Sequence, residues 1–192
     1  MWQELLHNLL RDILRRRGVS LDALRFDGLI KVRELPFESE DEITTWWLEG
    51  RMSEREKERY SVVEAHNVLT LNGRAALLNY FGNPNPTSPP WSQQFGVGNF
   101  PIISVSPGDT SVQGEFYRNN PSAVVITGNN QIDLTTIFSG TNGNGRWFSC
   151  GLWGNGASST VNTGTLNTHA LISPSYVKST GNIAIDYRII LT

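Results

Sequence analysis

The strongest pattern lies at the front of the chain. Trp2, Leu5, Leu6, Leu9, Leu10, Ile13 and Leu14 recur at the three- and four-residue spacing of one helix face. Gln3, Glu4, His7, Arg11, Asp12 and Arg15 take the opposite face. Arg15, Arg16 and Arg17 fall in the last turn, where cations complement the helix dipole, and Gly18 is placed to end it. Ser20 can then cap a short second helix around Leu21–Arg25. Further on, Leu29–Val32 predicts a short strand before Pro36, and the run ESEDE reads as a solvated loop. Trp46, Trp47 and Leu48 form an apolar knot in a polar stretch. Ser53 with Glu56 three residues later is a capping box, opening a polar helix.

From Val62 the periodicity changes. Val62, Val63, Val68 and Leu69 predict a strand, and Thr70 or Asn72 caps a helix with Leu77, Leu78 and Phe81 inward and Gly82 at its end. NPNPTSPP is a loop, because proline neither continues a helix nor donates to a central strand. Beyond it the period is two. Strands are predicted at 93–97, 102–105, 113–118, 123–127, 131–138, 146–153, 166–172 and 182–191. TNGNGR, at 141–146, carries the strongest hairpin-turn signal.

Charge divides the chain in the same way. Residues 1–80 hold 12 of the 16 basic and 14 of the 18 acidic residues, leaving 4 of each for the other 112. Those 112 contain 14 of the 18 glycines and 8 of the 9 prolines, as short strands joined by tight loops require. The pattern predicts a mainly β protein, an antiparallel β-sandwich of jelly-roll or immunoglobulin-like kind with an α-helical N-terminal arm. The arm is assigned to 1–61 and the sandwich to 62–192.

A net charge of −2 disfavours nucleic acid or an anionic membrane as the main partner. The acidic residues near the N-terminus do not fit a secretion signal. Cys150 stands alone, so neither an internal disulfide nor a multi-cysteine zinc site is expected. His7, His66 and His169 fall in separate elements, which disfavours a metal site. Glycine-rich runs lack the GK[ST] of a phosphate loop, and there is no GxSxG. The β half has four carboxylates, Asp109, Glu115, Asp133 and Asp186, with no spacing that marks a glycosidase pair. No cofactor is expected. Trp91, Phe95, Phe100, Phe116, Tyr117, Trp147, Phe148 and Trp153 concentrate in that half and are expected mostly in the core.

Asp109, Glu115 and Arg118 cluster in a segment otherwise poor in charge. Asp109 after glycine is turn chemistry, its carboxylate able to accept from the backbone two residues on. Glu115 and Arg118 differ by three, so a regular strand sends them to opposite faces and they are not expected to pair. A structural role is favoured for all three, with each of the latter two binding a loop backbone or a neighbouring subunit.

Five segments occur in an order that resembles a β-sandwich family found among tailed-bacteriophage virion proteins. NVLTLNGRAALLNYFG is similar to its opening, and QFGVGNF to a strand ending in a "VGTG"-like turn. GDTSVQGEFYR resembles its "GDT-x-L-x-x-E-x-x-R" segment. CGLWGNGASSTVNTGTLNTHALIS and YVKSTGNIAIDYRIIL resemble its last two stretches. Asn99 and Trp153 depart from the pattern, and residues 1–61 lie outside it. The resemblance implies a non-enzymatic structural protein of a virion assembled in the host cytoplasm, in the tail, neck or baseplate. Its partners would be other virion proteins and copies of itself, with homo-oligomers in the particle and no membrane. Capsid decoration and carbohydrate binding are the alternatives. The apolar arm face, Trp2 to Leu14, is expected to dock on another subunit or virion protein.

Overall fold

The computed structural model describes residues 26–82, 92–127 and 131–191. The arm residues Trp2, Leu5, Leu6, Leu9, Leu10, Ile13 and Leu14, the arginines at 15–17, His7 and Trp91 lie outside them. The strands are β1 (Phe26–Glu34), β2 (Ser61–Leu69), β3 (Gln94–Gly98), β4 (Glu115–Asn119), β5 (Ala123–Thr127), β6 (Gln131–Phe138), β7 (Gly145–Gly154), β8 (Thr165–Lys178) and β9 (Ile183–Leu191). Every pairing is antiparallel, and the strands make one nine-stranded curled sheet in the order β4-β3-β7-β8-β2-β1-β9-β6-β5.

Strand β2 turns the sheet. Residues 61–66 pair with β1, and Asn67–Leu69 pair with β8. The curl encloses a core of alternate residues from both arms of the sheet: Ile30 and Val32, Phe95 and Val97, Cys150 and Leu152, Ile183, Ile185 and Tyr187. Phe95 of β3 meets Phe138 of β6 and Tyr187 of β9, with ring centroids 6.4 and 6.3 Å apart. Tyr117 of β4 and Trp147 of β7 each sit 5.4 Å from Phe138. Asn119 Nδ2 of β4 also donates to the Ile137 carbonyl of β6 at 2.7 Å. These edge-on and tilted aromatic contacts add to simple area burial.

Each outer face carries its own cover. Residues 35–60 lie over β1, β9 and β6. They include the short helices α1 (Glu40–Glu42) and α2 (Glu54–Lys57), with a π-helical turn at Ile43–Leu48 between them. Trp47 and Ile43 are buried against Ala184, while Trp46 remains exposed. That explains the apolar knot: one tryptophan of the pair seals the sheet. ESEDE is not wholly a loop, since Ser39 and Glu42 form a capping box that starts α1. The Ser53–Glu56 capping box is present and opens α2.

On the other arm, Thr70 caps α3 (Leu71–Gly82) by accepting from Gly73 N–H at 2.9 Å, and its own hydroxyl donates to the Leu166 carbonyl at 2.5 Å. Gly73 is required there, because a Cβ would lie 2.1 Å from the Asn167 carbonyl of β8.

Three expectations are corrected. Residues 102–105 form no strand; they belong to the long β3–β4 loop. TNGNGR is not a hairpin turn, because β6 and β7 do not pair; it crosses between the two arms of the sheet. It is held by Trp147 Nε1 donating to the Gly143 carbonyl at 2.8 Å and by Lys178 Nζ donating to Asn144 Oδ1 at 2.8 Å. The division after residue 61 falls within the sheet, since β1 lies between β2 and β9.

Candidate functional site

Small residues line the outer face of β3 and the adjoining part of β7. Gly96 and Gly98 on β3, and Ser149 and Gly151 on β7, leave a shallow bed on which the β3–β4 loop rests. Val112 from that loop is buried there beside Trp153 and Leu166. The loop is fastened at its middle and its neck: Leu71 N–H donates to the Pro107 carbonyl at 2.7 Å, and Asn99 N–H to the Gly114 carbonyl at 3.0 Å.

Glu115 and Arg118 lie at the rim of this bed and, contrary to the strand rule, they pair. Arg118 Nε and Nη2 donate to the two Glu115 oxygens, each at 2.6 Å, and both side chains are fully buried. The cause is a β-bulge. Val97 faces Tyr117 and Gly98 faces Glu115, so Phe116 is the extra residue and residues three apart come to one face. Gly96 makes room, since a Cβ would stand 2.1 Å from Glu115 Oε1. The guanidinium stacks on Trp153 at 3.9 Å and donates through Nη1 to the Thr163 carbonyl at 2.7 Å. Glu115 Oε2 also accepts from Asn162 N–H at 3.1 Å. One ion pair thus ties strand β4 to the 155–164 loop.

Asp109 closes a turn. Its Oδ2 accepts from Ser106 N–H at 2.8 Å, upstream of it in the chain, and meets His169 Nδ1 at 2.7 Å. His169 is buried on β8 opposite Gly151, and its Nε2 has no hydrogen-bond partner. Ser149, on the same outer face of β7, is fully buried, and its Oγ likewise has no hydrogen-bond partner. An aspartate, a histidine and a serine are thus neighbours, the residue types of an acyl-transfer triad. The serine is not bonded to the imidazole, and the loop covers both, so the arrangement lacks the nucleophile–base contact that such chemistry needs.

The remaining carboxylates serve the other arm of the sheet. Asp133 accepts from Arg188 Nε at 2.7 Å, which raises the arginine further above its ordinary value. Asp186 lies 3.1 Å from the buried Arg33, accepts from Thr135 Oγ1, and is raised chiefly by burial. Burial likewise pushes up the Cys150 thiol in the core, which leaves it without thiolate character. Among the described residues no three His, Cys, Asp or Glu side chains gather as a metal site, and no helix is long and apolar enough to cross a membrane.

Sequence reasoning missed the Asp109–His169 contact, which joins positions 60 apart. It also missed the exposure of β5. Its Val124, Val125 and Ile126 are exposed. Trp153 is buried and offers no face to a sugar.

No family model, curated protein or solved structure matches the chain.

Proposed function

We propose that this protein is an architectural component of a tailed-bacteriophage virion, an accessory part of the tail, neck or baseplate that acts through protein–protein contacts rather than turnover. One observation carries the reading. The charged cluster in the β half, Asp109, Glu115, Arg118 and His169, is consumed in fastening loops to the sheet. Such a molecule is a rigid platform. The ordered motifs over 62–192 point the same way. Ring contacts across the core support reading the curl as a two-layered antiparallel sandwich of jelly-roll or immunoglobulin-like kind.

The test is association with particles. Tagged protein is expressed during a phage infection, and the lysate is banded in a density gradient. Co-banding with DNA-filled particles is expected; recovery only in the soluble fraction would overturn the proposal. The symmetry of its density on the particle separates the two locations. Threefold clusters fit capsid decoration, and sixfold or twelvefold rings fit neck or tail. The arm is tested by removing residues 1–25, which leaves β1 whole; unchanged particle binding would refute its docking role.

A further inference from the structure

The two ends of the sheet are finished differently. At one end β4 is bulged, its charged side chains are buried, and Asn119 reaches across to β6. At the other end, among the described residues, β5 pairs with β6 alone and its second backbone edge has no strand beside it. Natural edge strands are protected by charge, proline or a bulge. Strand β5, AVVIT, has none of these; its pairing with β6 is regular, and Val124, Val125 and Ile126 are 55%, 53% and 73% exposed. Val124 and Ile126 stand beside Leu134 and Ile132, on the core-facing side, so the apolar interior runs out onto a lip that no other described strand covers.

We infer that β5 is a homotypic interface, on which a second copy of this chain adds its own β5 antiparallel across a twofold axis. The sequence of the strand fits itself. With Val125 on the axis, Val124 faces Ile126 of the copy and Ala123 faces Thr127, and no like charges meet. Among the described residues each copy has one edge of this kind, so the contact uses both and closes at two instead of growing into a fibre. A five-residue strand falls at the low end of interface sizes, below about 1,200 Å² in total, so the dimer is weak and concentration-dependent. The inference concerns copies of this chain alone and does not depend on the virion proposal.

The test is Val125→Cys in the full chain. A residue on the axis faces its own copy across a cross-strand Cα spacing of about 4.5–5.5 Å, within disulfide reach. Mild oxidation should therefore give a linked dimer as the main product. Ile103→Cys, at a loop position 95% exposed, serves as the collision control and should link far less. Val125→Lys should be monomeric by light scattering throughout a dilution series, with wild-type circular dichroism and melting. Three results would overturn the inference. One is linkage of V125C no greater than I103C. Another is a V125K protein that dimerises like wild type. The third is linkage that appears only after residues 1–25 are removed, which would mean that the chain's own N-terminal segment occupies the edge.

Discussion

Glu115 and Arg118 show how one residue's geometry can be hidden by a neighbour. Their types were legible in GDTSVQGEFYR; their pairing was not, because one extra residue, Phe116, shifts the alternation. Nothing local in the sequence marks that bulge. The glycine opposite does so in hindsight, since Gly96 is where the carboxylate needs space. Glu115→Gln leaves a buried guanidinium short of its counter-charge and is expected to cost about 3–5 kcal/mol in denaturant melts. Replacing both partners by apolar residues of similar size should cost less than that single change. Gly96→Ala should also destabilise, by about 1–3 kcal/mol, as the added methyl displaces the carboxylate.

Among the elements, strands were more legible than their connections. The alternation of Ile183, Ile185, Tyr187 and Ile189 is that of a half-buried strand, and all four are in the core. The covering segments had no such period. Trp47 and Val112 each act as single plugs whose seats are built by distant residues, so only the folded sheet reveals them. The 35–60 cover is also held by charge. Lys31 Nζ donates to both Glu58 oxygens at 2.9 and 2.8 Å, and this bond first, then the lysine's charge and Arg33, hold the carboxyl below its ordinary value of 4.5. A lowered carboxyl stabilises the fold above its ordinary value, and that contribution is lost as pH falls through the lower folded value. Because the pair is partly exposed, the effect is under about 1 kcal/mol. Glu58→Gln should lower stability by that amount at neutral pH, leave it nearly unchanged in acid below the folded value, and so flatten the acid limb of a stability–pH curve. On the other arm of the sheet, Asp109→Ala should speed amide exchange within the 99–114 loop while protection in β7 and β9 stays as it was.

At the scale of the whole molecule, the class was legible and the partition was not. Mostly β composition follows from glycine-rich turns and period-two strands. The division after residue 61 followed charge, and charge tracks what covers a sheet, not what builds it. Phe26–Glu34 is flanked by charged sequence, yet it holds Ile30 and Val32 in the core. Chains lacking residues 1–25 should therefore keep a cooperative thermal transition, while loss of residues 1–34 should abolish it. Phe138→Ala, at the meeting point of Phe95, Tyr117 and Trp147, should cost about 3–5 kcal/mol by unstacking the two arms together.

The pairing of β1 with β9 also sets a timetable. The sheet pairs the first described strand with the last, so the ribosome delivers the second partner roughly 150 residues after the first. At about 5–20 residues per second, that is a wait of roughly 8–30 s. During it the nascent chain carries a finished β1 with no neighbour on its β9 side. The β1–β9 pairing therefore waits for Ile183–Leu191 to emerge, and cells that make this protein quickly should depend on chaperones to keep soluble a β1 that has not yet met β9.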